Sequence, residues 1–106
     1  MPSSVRRVQQ HPDPQGINEA RRYTVDTTPW GGSPASPVIT VLDVTDSPAG
    51  TDVTATVCSG GASVAGNVIT TPTIGSLTLN HIYHVFIRWS SGGETLEAWA
   101  ELRAER

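Results

Sequence analysis

The chain of 106 residues has a single cysteine, Cys58, and no lysine. One cysteine excludes a disulfide within the chain, so the fold must be held by packing and hydrogen bonds alone. No apolar run approaches the length of a membrane-spanning helix, and the first ten residues lack the apolar centre of a signal peptide. These missing features predict a soluble protein that is made in a cytoplasm.

Charge and aromatic residues are also scarce, at 16% and 6% of the chain, and the formal net charge is −3. A negative net charge gives no general attraction to nucleic acid, so we expect no nucleic-acid partner. All seven basic residues are arginines. Arginine suits protein interfaces because its planar guanidinium binds carboxylates in a bidentate manner, although an all-arginine set is equally typical of a GC-rich genome.

Glycine, proline, serine and threonine are plentiful, which favours strands and turns over helices. Short segments with alternating apolar and polar residues lie between clusters of these turn residues. Strands are predicted at residues 22–26, 38–44, 52–59, 68–74, 76–80, 81–89 and 95–103, with loops or turns at 29–37, 46–50 and 60–67. Pro72 interrupts the strand at 68–74, which places that strand at a sheet edge. The pattern predicts an all-β, immunoglobulin-like antiparallel β-sandwich over residues 22–106.

Residues 1–21 are predicted to form an extended N-terminal arm that precedes this domain. The segment HPDPQG, residues 11–16, places two prolines around an aspartate and so disfavours a helix. Such arms often become ordered only on a partner, so removing residues 1–20 is expected to leave the stability of the domain nearly unchanged. The arm contains four arginines that could bind an acidic partner surface or simply keep the segment solvated: Arg6, Arg7, Arg21 and Arg22.

The last part of the chain, HIYHVFIRWSSGGETLEAWAEL at residues 81–102, predicts a β-hairpin about Gly92-Gly93. In this register one face pairs only apolar residues: Tyr83 with Leu102, Val85 with Ala100, Ile87 with Ala98, and Trp89 with Leu96. The other face pairs Arg88 with Glu97, Phe86 with Trp99, and His84 with Glu101. A shift of one residue would destroy both patterns, so the register is strongly specified.

The residues that could carry chemistry do not form a recognisable site. His81 and His84 are three positions apart, so on one strand they point to opposite faces and cannot share a metal ion. Cys58 is more typical of a small packing residue than of a nucleophile. No nucleotide-binding or hydrolase motif and no marked pair of acid and base carboxylates occurs. The sequence therefore predicts no metal, no cofactor and no enzymatic activity.

Three aromatic residues are candidates for a protein-binding surface. Phe86 and Trp99 lie on the charged face of the hairpin, where an aromatic pair with a charged rim is typical of protein contacts. The alternative is that an arm, a loop or another strand covers this pair. Trp30 lies among glycines and prolines, where it could contact a partner or close one end of the sandwich.

Three segments resemble small virion proteins of tailed bacteriophages, of the fiber–tail adaptor or head–tail type. They are RYTVDTTPW at 22–30 with the proline-rich loop after it, TVCSGG at 56–61, and YHVFIRWSSGGETLEAWAEL at 83–102. The likeness spans residues 22–104. It implies an immunoglobulin-like, non-enzymatic structural protein of a virion, assembled in the bacterial cytoplasm without membrane or cofactor. Its partners would be other virion proteins of the tail, fiber, neck, portal or capsid, in multiple symmetric copies.

Two alternatives to a tail, fiber or head–tail adaptor stay open. One is a capsid decoration protein, which would occur in hundreds of copies per particle instead of six or twelve. The other is a carbohydrate- or surface-binding module in which aromatic residues stack on sugar rings.

Overall fold

The fold is seen in a computed structural model that describes the backbone of residues 5–7 and 13–106 and the side chains of residues 14–106. Its strands are β1 Val5–Arg7, β2 Asp13–Gly16, β3 Thr24–Asp26, β4 Ala35–Asp43, β5 Thr51–Asp52, β6 Cys58–Ser59, β7 Ser63–Ala65, β8 Val68–Thr70, β9 Thr73–Ile74, β10 Ile82–Ser91 and β11 Glu94–Glu105. A 3₁₀ turn covers Thr28–Trp30, and a single helical turn, α1, covers Thr54–Val57. The predicted all-β sandwich is confirmed.

The larger sheet has six strands. β11 pairs antiparallel with β10, β10 with β4, and β4 with β5. The other edge of β11 pairs in parallel with both β1 and β2, which follow one another along it. β4 begins three residues earlier than predicted, at a bulge where Ser36 has a positive φ of 52°.

The second layer consists of shorter pieces. β8 lies between β3 and β7, and β9 pairs with β6. Pro72 separates β8 from β9, as the missing N–H of proline would cause. The edge position predicted for this segment is wrong for β8, which is the central strand of its sheet. The two layers enclose one core, to which β3, β8 and β9 contribute Val25, Ile69 and Ile74.

The terminal hairpin forms as predicted, and the pairing from Ser91 with Glu94 to Tyr83 with Leu102 has no irregularity. Gly92 and Gly93 have φ angles of 57° and 85°. A side chain at either position would meet nothing within 4 Å, so the backbone angle and not space is what requires glycine there. The apolar face of the hairpin is the main wall of the core, with Trp89 only 2% exposed.

The N-terminal arm is not separate from the domain over its last residues. Gln15 on β2 is completely buried, and its amide nitrogen donates to the carbonyl of Ile74 at 2.7 Å and to that of Glu19 at 3.2 Å. Its amide oxygen accepts a hydrogen bond from the Tyr23 hydroxyl. Because Gln15 joins β2 to the second layer, we now expect removal of residues 1–20 to reduce the stability of the domain, in contrast to the prediction from the sequence.

The strand predicted at residues 52–59 is broken by α1. Asp52 accepts hydrogen bonds through Oδ1 from the backbone N–H and the hydroxyl of Thr54, at 2.9 and 2.7 Å. The Thr54 hydroxyl oxygen in turn accepts a hydrogen bond from the backbone N–H of Val41 at 2.9 Å. These local bonds replace a strand ladder with a turn, which is the usual way that Asp and Thr compete with regular structure.

Two further predictions in this region are wrong. Residues 60–67, predicted as a loop, contain β7, which pairs with β8 across a two-residue turn at Gly66-Asn67. Gly66 has a positive φ of 62°, as the first position of a type II′ turn requires. The strand predicted at 76–80 is absent, since that segment runs as a loop and turn with Leu77 buried.

Candidate functional site

One face of the larger sheet points away from the core and is the candidate binding surface. Alternate residues of β4, β10 and β11 fill the core, so the residues between them lie on the opposite side. We call this side the outer face, and its members are Val38, Thr40, Leu42, Val44, Ile82, His84, Phe86, Arg88, Glu97, Trp99, Glu101 and Arg103. The strand register arranges them in rows that cross β4, β10 and β11.

The central row of the outer face is aromatic. Thr40, Phe86 and Trp99 lie side by side on the three strands. The Phe86 and Trp99 rings are stacked with centroids 6.3 Å apart, and the His84 ring is 4.7 Å from that of Trp99. Both aromatic side chains are half-buried, so part of each ring remains accessible.

The charged residues beside this row are paired with each other. Arg88 Nη2 lies 3.4 Å from Glu97 Oε2, and His84 Nε2 lies 3.2 Å from Glu101 Oε1, as the hairpin register predicted. Arg88 and Glu97 compensate each other's charge across neighbouring strands, and Glu101 has a hydrogen-bonding partner in His84. Such exposed pairs stabilise a sheet by only about 0.2 to 1 kcal/mol each, so their main effect is to keep the face nearly neutral.

The apolar part of the face is wider than the aromatic pair. Val38 is 55% exposed, the most of any large apolar side chain that the structure describes, and Leu42, Val44 and Ile82 are half-buried. A shallow groove runs between β4 and β10, lined by Thr40, Leu42, Phe86, Arg88 and Glu97. The sequence alone did not identify the valines, the leucine and the isoleucine as surface residues. Their position on the outer face follows from the register of β4 against β10, which no local sequence pattern reveals.

The four arginines proposed for binding lie in two places. Arg6 and Arg7 pair through their backbones with Ala98 and Trp99 of β11, and the structure does not describe their side chains. Arg21 and Arg22 are exposed beside the second layer. The Arg21 guanidinium is 5.7 Å from the centre of the Tyr23 ring, and Arg22 donates to the Thr73 hydroxyl at 3.0 Å. The structure therefore does not bring Arg21 and Arg22 to the outer face.

Trp30 packs at one end of the sandwich. Its ring meets that of Trp89 edge to face, with centroids 5.8 Å apart. The loop that holds it is fixed by Asn67, whose carbonyl accepts from the Thr27 N–H and whose side chain accepts from the Ser33 N–H. This half-buried placement is the one expected of a residue that closes the end of the core.

His81 and His84 contact different carboxylates on different faces. His81 Nδ1 is 2.7 Å from Asp43 Oδ2, while Asp43 Oδ1 accepts from the N–H and hydroxyl of Thr45. Burial would raise the pKa of Asp43, but the bonds from Thr45 and His81 outweigh it and hold that pKa below its ordinary value. These hydrogen bonds connect the end of β4 to the start of β10. In the part of the chain that the structure describes, no three His, Cys, Asp or Glu side chains come together as a metal site would need.

Cys58 lies on β6, partly packed against the core. Burial raises the pKa of the Cys58 thiol, and the negative charge of Asp52 raises it further. A raised pKa keeps the side chain a neutral thiol near pH 7, whereas a nucleophilic cysteine needs a lowered one.

Comparison with protein-family models, with curated proteins and with solved structures found no match to this chain. Within the described residues, no helix has the length and hydropathy to cross a membrane.

Proposed function

We propose that the protein is a non-enzymatic structural component of a bacteriophage virion that binds other virion proteins through the outer face of its larger sheet. The observation that supports a binding role most directly is the composition of that face. A half-buried Phe86–Trp99 pair and exposed Val38 lie beside polar side chains that pair with each other across the strands. This is the anatomy of a protein contact, with an apolar centre and a polar rim.

The arrangement of strands supports the choice of an immunoglobulin-like module. One layer contains β11, β10, β4 and β5 with the N-terminal segment at its edge, and the other contains β3, β8 and the pieces β6 and β7. The antiparallel order of β11, β10 and β4 resembles the three-stranded layer of immunoglobulin-type sandwiches, and this likeness supports the proposal. Folds of this type serve many functions, so the virion assignment depends on the resemblance of residues 22–104 and not on the fold.

The N-terminal segment is the second proposed contact. β1 and β2 add to β11 as edge strands, which is also the way an extended segment joins a neighbouring protein. Residues 1–12 contain Arg6 and Arg7 and lie before Gln15, so they can be deleted without removing the buried hydrogen bonds of that residue.

The experiment is quantitative mass spectrometry of purified virus particles from bacteria that produce the chain. About six or twelve copies per particle would support an adaptor at the neck, tail or fiber, and hundreds would support the alternative of a decoration protein. Absence of the chain from intact particles would overturn the virion assignment.

A second experiment tests the surface. Phe86→Ser is expected to reduce incorporation into particles strongly, while Thr56→Ser at an exposed position of α1 serves as the control. Normal incorporation of a folded Phe86→Ser protein would overturn the role of the outer face. The variant's melting temperature shows whether it is folded.

A further inference from the structure

The outer face has a charge pattern that suits one particular partner. The ion pair Arg88–Glu97 and the hydrogen-bonded pair His84–Glu101 lie in the middle of the face, and Arg103 is exposed at the far end of β11. Glu97 and Arg103 are therefore opposite charges near the two ends of the same strand surface. A surface with opposite charges at its two ends can be complementary to itself.

We propose that the outer face binds a second copy of this chain, face to face. The two copies are related by a two-fold axis that lies parallel to the sheet and perpendicular to its strands. The axis passes between the row of His84 and the row of Phe86. The inference rests on the proposed function only in treating the outer face as a contact surface, and it does not require a virion.

The strand register decides which residues meet in this arrangement. Each residue faces the residue of the second copy that lies on the same strand, at the same distance on the other side of the axis. The facing pairs are Glu97 with Arg103, Trp99 with Glu101, Phe86 with His84, Arg88 with Ile82, Val38 with Val44, and Thr40 with Leu42. The symmetry makes the Glu97–Arg103 contact twice. Val38, the most exposed large apolar side chain in the described part of the chain, meets another valine.

Two other two-fold axes through the same face are unfavourable. An axis along the row of Phe86 would place Glu97 opposite Glu101 of the other copy, twice. An axis along β10 would place Arg88 opposite its own equivalent. Like charges in contact disfavour association. Of these three axes, the one between the two rows is the one that pairs opposite charges.

The size of the face sets the strength of the contact. Three strands about 4.8 Å apart and about 30 Å long present roughly 450 Å² per copy, or about 900 Å² in total. Stable dimers usually bury more than about 1,000 Å², and affinity does not follow from area alone, so this contact is expected to be weak in solution. In an assembly with other contacts, the same face would bind far more effectively.

The test is sedimentation equilibrium of the full chain over a concentration series up to about 1 mM, with a reductant present so that Cys58 cannot cross-link copies. The mean mass should rise from 11.2 kDa for one chain towards twice that value. Arg103→Glu should weaken association at least tenfold, because it creates two contacts between like charges. The double variant Glu97→Arg/Arg103→Glu should restore most of the loss.

A matched pair of apolar variants provides an independent measurement. Val38→Asp should abolish the dimer, whereas Val64→Asp, at a residue that is 39% exposed on β7, should not affect it. Both positions are partly exposed, so both variants are expected to fold, which a melting curve checks.

Two results would overturn the proposal: a mass that stays at 11.2 kDa over the whole series, or a dimer that Arg103→Glu leaves unchanged. Neither result bears on the virion assignment, which depends on particle composition. A monomeric chain found in particles would refute the dimer alone, and a dimeric chain absent from particles would refute the virion role alone.

Discussion

The two layers of the sandwich are held together in different ways. In the larger sheet, β10 pairs over all ten of its residues with β11, and most of its length also pairs with β4. In the second layer no described strand is longer than three residues, and Pro72 separates the central strand β8 from β9. The first layer therefore distributes its stability over many equivalent pairs, while the second depends on contacts from outside its own strands.

Single side chains provide those contacts. The Gln15 amide donates to the carbonyl of Ile74, the Thr71 hydroxyl accepts from the N–H of Tyr23, and the Thr27 hydroxyl donates to the backbone carbonyl of Asn67. Loss of one pair in a long ladder leaves the neighbouring pairs in place, whereas loss of one buried hydrogen-bonding side chain leaves its partners unsatisfied. Substitutions of equal chemical size should therefore cost more stability at the second layer than on the outer face of the hairpin.

The largest effect is expected at Gln15. Gln15→Ala removes a completely buried side chain and leaves the carbonyl of Ile74 and the hydroxyl of Tyr23 without this partner. The free energy of unfolding should fall by about 3 kcal/mol, from the desolvated groups and the cavity together. Urea unfolding followed by tryptophan fluorescence measures it.

Exposed Pro14, the neighbour of Gln15 on β2, gives the control. Pro14→Ala should change the free energy of unfolding by less than about 1 kcal/mol. If Gln15→Ala has no larger effect than Pro14→Ala, the segment at 13–16 does not anchor the second layer and the proposed difference between the layers is wrong.

The same difference explains which parts of the fold the sequence predicted. The hairpin was predictable because two alternating patterns and a glycine turn all require one register. The structure of residues 51–67 was not predictable, because it depends on the side-chain hydrogen bonds of Asp52 and Thr54 and on the backbone angle of Gly66. The pattern of apolar residues contains no information about these features. Gln15 gave no signal at all, since a glutamine beside prolines resembles an exposed loop. Of the site, the hairpin half was predicted and the β4 half was not, because the pairing of β4 with β10 is non-local.

A medium effect is expected at Thr54, which links α1 to the larger sheet. Thr54→Val keeps the shape of the side chain but removes the acceptor for the Val41 N–H and the donor to Asp52. The free energy of unfolding should fall by about 1 to 2 kcal/mol. Thr56→Val on the same helical turn is exposed and should change it by less than about 0.5 kcal/mol. Equal losses for the two variants would show that the Thr54 hydroxyl does not hold the two parts together.

Acid should weaken the strand ends by a smaller amount. β3, β4 and β5 each end at an aspartate that accepts hydrogen bonds from the threonine two residues later: Asp26 with Thr28, Asp43 with Thr45, and Asp52 with Thr54. Hydrogen bonds from threonine lower the pKa of Asp26 and of Asp52, and those from Thr45 and His81 outweigh burial to lower that of Asp43.

A lowered pKa in the folded state stabilises the fold above the unfolded pKa of about 4, and this contribution is lost as the pH falls through the folded value. Unfolding in urea at pH 7, 5 and 2.5 should therefore show a loss between the two lower values. Asp43→Asn should make that loss smaller, whereas Asn at exposed Asp46 should not. A loss of stability that is the same in Asp43→Asn and in the unsubstituted chain would exclude Asp43 as a contributor.

The smallest effect is expected on the outer face of the hairpin, at Arg88 and Glu97. The Arg88 side chain is 61% exposed, and its 3.4 Å distance from Glu97 is long for a charged hydrogen bond, so solvent screens most of the attraction. A double-mutant cycle of Arg88→Ala and Glu97→Ala should give a coupling energy of at most about 0.5 kcal/mol. A coupling energy as large as the loss at Thr54 would contradict this expectation, because one exposed ion pair would then contribute as much stability as the half-buried Thr54 hydroxyl. The low coupling energy that we expect means that the fold does not depend on the Arg88–Glu97 pair. Substitutions at these two residues can therefore test binding without a large loss of stability.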